Sequence, residues 1–396
     1  MTAERWAELR ADIPALERYA YLNTGFAPPP SLAMTAAIQA RLDLELEHGS
    51  TTRLAMDAAR ERKEELRELF GRVLGAEPGE VAITSSTGVG VSIALAGLEL
   101  QSGDKILTTS VEHGSGVVPL YHAGTTSQIA VEFVPVAPDD SHGAIVERFV
   151  SALDERTCAV MLSEISFATG QLLPVRSITE AAHRVGAVVV IDGAQTAGHI
   201  PLDVHELGID AYAMPVQKWL CGPRGIGALY VSPEALPRIA PSIVDVTHAA
   251  EWDLEGTFSP KGDVPGKFEL AAVPPVLVAG AIQATEAYLE SGPAAVFDRV
   301  RELNRIAEAR FDRIDGVTVE SPRNEESRTG LFCFGTAGID AADLGPWLQR
   351  EHDVVCRAVR ERNVTRLSLH VFNTEGDIER AAAGVEAALR DGITSE

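Results

Sequence analysis

A largely parallel α/β sheet covered by helices, followed by a small α+β unit, is the fold class that the sequence predicts. Three observations carry it. Short β-branched runs alternate with helical stretches between residues 81 and 231, the order that builds parallel sheets with helices on both faces. The run Ala187-Val188-Val189-Val190-Ile191 is apolar without interruption, as a strand buried on both sides requires. After about residue 240 this alternation stops and Pro and Gly become frequent.

Taken in order, residues 52–75 read as a helix, with Leu54, Met56, Ala59, Leu66, Leu69 and Phe70 at helical spacing and Gly75 closing it. Strands are predicted at Val81–Thr84, Lys105–Thr109, Val131–Pro135, Cys158–Leu162, Val188–Ile191 and Ala228–Val231. The segment 241–266, with Pro241, Gly256, Pro260, Gly262, Pro265 and Gly266, reads as a long loop at a domain junction. Helices follow at about 274–290 and 293–313, short strands near 316–320 and 330–335, and a final helix at about 376–390. This divides the chain into an N-terminal segment (1–20) packing with the small domain, a large domain (21–265) and a small C-terminal domain (266–396).

Composition excludes several partners. The 396 residues include 57 Asp and Glu against 34 Lys and Arg, a net charge of −23. Phosphate backbones and anionic membranes are recognised mainly through clustered basic side chains, so neither nucleic acid nor membrane is expected as a partner. The four cysteines, Cys158, Cys221, Cys333 and Cys356, lack CxxC spacing, and the ten histidines lack ligand spacing, so neither a disulfide framework nor a metal site is expected. The polar start MTAERWAELRADIP has no secretory pattern, and no apolar run of ~18 residues occurs, so a soluble cytoplasmic protein is expected.

Three stretches point to chemistry. Asp192, in Ile191-Asp192-Gly193-Ala194-Gln195, stands where the buried strand ends, at the sheet edge where open α/β folds bind ligands. Lys218, in Gln217-Lys218-Trp219-Leu220-Cys221-Gly222-Pro223, lies in an apolar, Gly-rich setting just before a strand. Desolvation there lowers an amine's pKa and leaves it nucleophilic. Thr84-Ser85-Ser86-Thr87-Gly88-Val89-Gly90 follows a strand and opens a helix, whose free N–H groups suit a phosphate. A dinucleotide fingerprint fails at its third glycine, where Ile93 stands, and neither a P-loop, a GxSxG elbow nor an HExxH pair occurs.

Together these stretches resemble the fold-type I pyridoxal-phosphate enzymes. The specific likeness is to the class V aminotransferase family, which includes cysteine desulfurases, cysteine/cystine C–S lyases, hercynylcysteine sulfoxide lyase and isopenicillin N epimerase. The resemblance runs from about Tyr21 to Asn373. Its ordered anchors are Tyr21-Leu22-Asn23-Thr24-Gly25, Ser85-Ser86-Thr87-Gly88, Val111-Glu112-His113, Thr169-Gly170-Gln171, Asp192-Gly193-Ala194-Gln195, Gln217-Lys218-Trp219, Lys267-Phe268-Glu269 and Thr365-Arg366-Leu367-Ser368. The resemblance implies pyridoxal 5'-phosphate as cofactor, an amino-acid substrate and a homodimer. It implies Lys218 as the Schiff-base lysine and base at Cα, Asp192 as partner of the pyridine nitrogen, and His113 and Ala194 against the two ring faces. Gln195 would bond the ring hydroxyl, and Thr87, Gly88 and Gln217 would hold the phosphate. Arg366 and Arg357 would bind the substrate carboxylate, with Asn23 and Gly25 lining the substrate side.

The chain also departs from the family pattern. Pro215-Val216-Gln217 replaces a Ser-x-His before the lysine, Ala271-Ala272 replaces a Gly-Thr that reaches the phosphate across the dimer, with Thr257 as a substitute, and Phe167-Ala168 replaces an Asn. Where desulfurases of one branch place their sulfur-accepting cysteine, Arg362 stands, and Cys356 falls on the wrong side of Arg357. The strings Gln217-Lys218-Trp219-Leu220-Cys221-Gly222-Pro223 and Thr169-Gly170-Gln171 are most similar to the C–S lyase branch, so the resemblance implies β-elimination, with C–S cleavage of a cysteine S-conjugate. The alternatives are epimerisation, transamination or decarboxylation on the same cofactor, or a non-catalytic protein of this fold.

Overall fold

In the computed structural model, which describes residues 3–262 and 264–393, seven strands form the large sheet. They are β1 (Val81–Thr84), β2 (Lys105–Thr109), β3 (Ala130–Val134), β4 (Thr157–Ser163), β5 (Val188–Asp192), β6 (Ala211–Pro215) and β7 (Gly227–Val231). Their order is β1-β7-β6-β5-β4-β2-β3, and only β7 runs against its neighbours. The mostly parallel α/β architecture expected from the alternation is thus present.

Strand β6 was not among the predicted ones. Its sequence, Ala-Tyr-Ala-Met-Pro, lacks the β-branched residues that mark a strand, yet all five residues are buried. Packing explains the small side chains. The helix α3 (Thr87–Ala96) lies so close that a Cβ on Gly90 would come within 2.7 Å of the Ala213 Cβ. Its predecessors α1 (Leu32–His48) and α2 (Arg53–Leu74) begin at Ser31 and Thr52, whose hydroxyls accept the N–H groups of Met34 and Ala55. Gly75 ends α2 at φ 67°, a conformation that a side chain resists.

The second sheet is antiparallel and consists of β8 (Val317–Val319), β9 (Leu331–Thr336), β10 (Arg357–Val359) and β11 (Val364–Ser368), in the order β8-β9-β11-β10. The sequence reading found β8 and β9 but neither β10 nor β11. Packing also moves a boundary. The helix at Pro275–Ser291, assigned from sequence to residues 266–396, rests on α1 and α2, and its Val278, Ala281, Ile282 and Tyr288 join the core of the large sheet. The division falls within the next helix, Pro293–Phe311. Its Val296 and Val300 enter that core, whereas Leu303, Ala307 and Phe311 enter the core of the small sheet.

Segment 241–266 is not the structureless loop predicted, because Ala249–Trp252 pairs with Phe258–Pro260 as a hairpin. Asp253 closes it by accepting the N–H groups of Glu255 and Thr257 at 2.7 and 2.9 Å. The N-terminal segment lies against the C-terminal part. Arg10 pairs with Asp377 at 2.8 Å, and Ala20–Tyr21 runs parallel to Val354–Val355. No helix among the described residues is long and apolar enough to cross a membrane.

Candidate active site

Because β1, β2, β4, β5 and β6 all point the same way, the loops after their carboxyl ends share one edge of the sheet. Asp192 is the last residue of β5, 4% exposed, and its Oδ1 accepts the Ala194 N–H at 2.8 Å. Lys218 stands three residues beyond β6. Burial lowers its amine to about 8, against the pull of Asp192 and with help from Arg366 and Arg357. His113 is also held below its usual value, first by burial and then by Lys218, with Arg357 and Arg366 adding to the effect and Asp192 opposing it. Lys218, Asp192, His113, Arg357 and Arg366 thus lie within electrostatic reach of one another.

His113 caps the helix α4 (Gly114–Ser127). Its Nδ1 accepts the Ser115 N–H at 3.1 Å, which assigns the ring proton of the neutral form to Nε2, and its ring meets Phe167 edge-on at 4.9 Å. The preceding Glu112 anchors this turn. It accepts the Ser163 N–H at 2.9 Å, the Ser163 hydroxyl at 2.6 Å and the Thr109 hydroxyl at 2.5 Å, and Ser163 is the register partner of Asp192.

Burial, with a small contribution from Asp192, raises Glu112 to about 7, and burial raises the nearby Glu164 to about 7 as well. An unfolded Glu titrates near ~4.3, so each protonated form is favoured by the fold. The stability this gives is complete below that pH and lost as pH rises towards 7. Glu112→Gln is expected to remove ~3 kcal/mol of pH-dependent stability over that window. Denaturant unfolding at several pH values checks this, and a slope equal to that of the parent protein contradicts it.

The lysine loop is fixed from several sides. Trp219 stacks on His199 at 3.6 Å and 16°, donates its indole N–H to Gln195 Oε1 at 2.9 Å, and accepts His370 Nε2 on its carbonyl at 3.1 Å. The same Gln195 amide donates to the Gly25 carbonyl at 2.9 Å, so one amide N–H remains to meet a ligand. A Cβ at Gly25 would fall 2.8 Å from both Gln195 Oε1 and Ser368 Oγ. Gly25→Ala is therefore expected to cost ~1–3 kcal/mol in thermal or denaturant unfolding and to weaken cofactor binding in a titration. Parent-like values in both would show that the N-terminal turn can shift freely.

On the substrate side, Asn23 bridges to Ser368, and Asn23 Oδ1 and Ser368 Oγ are both buried without a hydrogen-bond partner. Arg366, on β11, is 2% exposed and donates to the Phe167 carbonyl at 2.9 Å. Its Nε has no partner, and burial, reinforced by Arg357, lowers its pKa to about 10. Arg357, its register partner on β10, lies over the Phe26 ring at 4.5 Å. Phe26 and the structural roles of Gln195 and Trp219 escaped the sequence reading. The only hint was position, one residue after Gly25 and one after Lys218.

A family model for the class V aminotransferases matches residues 28–381. The chain belongs to that family. "Probable cysteine desulfurase 2" of Mycobacterium leprae is 29% identical over 411 residues, covering 96% of each chain. A "Probable cysteine desulfurase" of Halalkalibacterium halodurans is 30% identical over 352 residues, 84% of this chain and 82% of that one. Among solved structures, the cystine C–S lyase C-DES in complex with its product cysteine persulfide matches with a TM-score of 0.88 at 24% identity, covering 94% of this chain and 99% of that one. The cysteine desulfurase CsdA of Escherichia coli matches at 0.85 and 25% identity, covering 97% and 98%. The architecture is that of fold-type I, and pyridoxal phosphate is the cofactor of this family.

The residues present fit that group. Ser86 caps α3 through the Val89 N–H. Thr87 Oγ1 is buried without a partner, as is Gln217 Oε1. A Cβ on Gly88 would lie 3.6 Å from the Ser115 Cβ, so the starts of α3 and α4, two positive helix ends, lie close together where an anion is expected. Asp192 offers a buried carboxylate at the end of β5, of the kind a pyridine nitrogen would need, and half-buried Ala194 follows two residues on. The Lys267-Phe268-Glu269 anchor serves the framework instead. Glu269 pairs with Arg67 and with Lys63 and accepts the Ile83 N–H at 2.8 Å. Thr257 lies exposed in the hairpin closed by Asp253.

Proposed function

We propose that this chain is a pyridoxal-phosphate-dependent lyase that removes a sulfur leaving group from Cβ of an L-amino acid, acting on cysteine S-conjugates. The observation that carries the choice of lyase is the state of the thiols. A sulfur relay needs an accessible thiolate, because only the ionised thiol attacks. Cys333 is buried and Cys158, Cys221 and Cys356 are half-buried, and burial pushes Cys158 and Cys333 up to about 11 and Cys221 and Cys356 up to about 12, so none offers a ready thiolate. After Arg357, moreover, the chain makes a tight turn over residues 360–363 between β10 and β11, and no cysteine lies in that turn.

When bound, the cofactor withdraws electrons from Cα so that its proton becomes acidic. Lys218 would tether the cofactor, and its Nζ is the base that would take the Cα proton. An amine near 8 is half neutral at about pH 8, far more than an ordinary lysine, and it returns that proton readily. Asp192 keeps the ring nitrogen protonated. His113, neutral and fixed by the Ser115 N–H, would cover one ring face and Ala194 the other. The one free N–H of Gln195 would meet the ring hydroxyl, and Thr87, the Gly88 N–H and Gln217 would hold the phosphate. Arg366 pairs with the α-carboxylate, for which a planar guanidinium offers two parallel hydrogen bonds, while Asn23 and Gly25 line the substrate side.

The balanced outcome is one thiol, one keto acid and one ammonium ion per S-conjugate and water consumed. Incubating the cofactor-loaded protein with cysteine S-conjugates tests the proposal. Thiol and pyruvate in equal amounts are expected, and formation of neither overturns it.

A further inference from the structure

The acidic balance of the chain makes its unpaired cations informative. Most arginines have a carboxylate within ion-pair distance, as expected where acids outnumber bases 57 to 34. Among the described residues several arginines pair with no Asp or Glu side chain, Arg184, Arg238 and Arg380 among them, but Arg224, Arg357 and Arg366 differ from those in lying together, around Phe26 and on paired strands. Arg366 donates only to a backbone carbonyl. Arg357 and Arg224 both stand over the Phe26 ring, at 4.5 and 5.8 Å from its centroid. Phe26 is 47% exposed and follows directly on Gly25, which touches Gln195 and Ser368 inside the site. The three guanidinium groups therefore reach from the buried Arg366, through Arg357 beside it on the neighbouring strand, to the exposed Arg224 at the rim.

The family resemblance sets Arg357 beside Arg366 on one carboxylate, but Arg366 faces the Phe167 turn whereas Arg357 stands over Phe26, so a substrate whose single carboxylate pairs with Arg366 leaves Arg357 and Arg224 unanswered. Of the five clustered groups, Asp192 alone is an acid, and it serves the ring nitrogen at the opposite end. An aromatic face orients guanidinium planes without neutralising them, so Arg357 and Arg224 keep donors free for an anion. We propose that the substrate's side chain carries a second anionic group, held beyond the sulfur by Arg357 and Arg224 against Phe26. This rests on the C–S lyase reading above and narrows it to S-conjugates with a distal carboxylate.

Two S-conjugates of equal size, S-(2-carboxyethyl)-L-cysteine and S-(2-carbamoylethyl)-L-cysteine, differ only in that charge. Each loses its thiol by cleavage of the Cβ–S bond, taking up one water overall to give pyruvate and ammonium. The carboxylate is expected to show a kcat/KM about tenfold higher, the factor that one charge-assisted hydrogen bond supplies. The Arg224→Gln, Arg357→Gln double variant should bring the ratio near one. Equal kcat/KM values in the parent protein, or a preference that survives in the double variant, overturn the inference.

Calorimetric titration of the cofactor-loaded protein with glutarate and with butyrate reads the same pocket without turnover. Tighter glutarate binding, lost in the double variant, is expected, and equal binding overturns the inference. If neither conjugate releases thiol while glutarate still binds selectively, the lyase reading fails and the anion pocket stands.

Discussion

Lys218→Ala is expected to abolish turnover, with a loss of at least ~10³-fold, because one amine both tethers the cofactor and moves the Cα proton. The lowered pKa makes the change specific. Lys218 sits beside Asp192, yet burial and the two arginines dominate and bring the amine to about 8. The variant should still bind the cofactor through Asp192 and the helix α3, but borohydride reduction should no longer fix it to the chain. Lys218→Arg keeps the charge but stays protonated at every working pH and lacks a free base, so it should be as inactive. Turnover above a few percent in either variant would move the base elsewhere, with His113 the first candidate.

The second large effect is expected at Arg366. Its burial, its unpartnered Nε and its lowered pKa describe a guanidinium that gives up solvation without an acidic side chain in return. A bound carboxylate supplies that partner. Arg366→Ala should raise KM by ~10²-fold, as loss of a bidentate charged pair does, while kcat falls less because Lys218 and Asp192 remain in place. Arg366→Lys recovers only part of this, since an ammonium is a point charge without the planar fork. A kcat collapse at unchanged KM would instead assign Arg366 to holding the Phe167 turn.

Much of this site was legible in the sequence where chemistry and position coincide in one short string. Asp192 ends a strand marked by four β-branched residues, and Lys218 is flanked by Trp219 and Leu220, which have no place on a surface. Relations between distant strings were not legible. The pairing of Arg357 with Arg366 follows from the register of two short strands, three and five residues long, too short and too charged to announce themselves. Strand β6 was hidden because close approach of α3 selected alanines against strand propensity. Trp219 reads as a flanking apolar residue, yet its stack on His199 and its bond to Gln195 depend on three segments meeting. The boundary near 266 was drawn at a change of texture, whereas the hydrophobic cores divide about thirty residues later, within the helix Pro293–Phe311.

The central claim is that sulfur leaves by elimination rather than by transfer to a cysteine of the protein. The three-carbon product distinguishes the two, because elimination followed by hydrolysis gives pyruvate and ammonium, whereas transfer of the sulfur atom to a protein thiol leaves alanine. The cofactor-loaded protein should be supplied with L-cysteine and with S-(2-carboxyethyl)-L-cysteine, the carbon product quantified and the intact protein mass recorded after turnover. Pyruvate matching the thiol or sulfide released, with the protein mass unchanged, is the expected result. Alanine together with an added sulfur atom on the protein would contradict it.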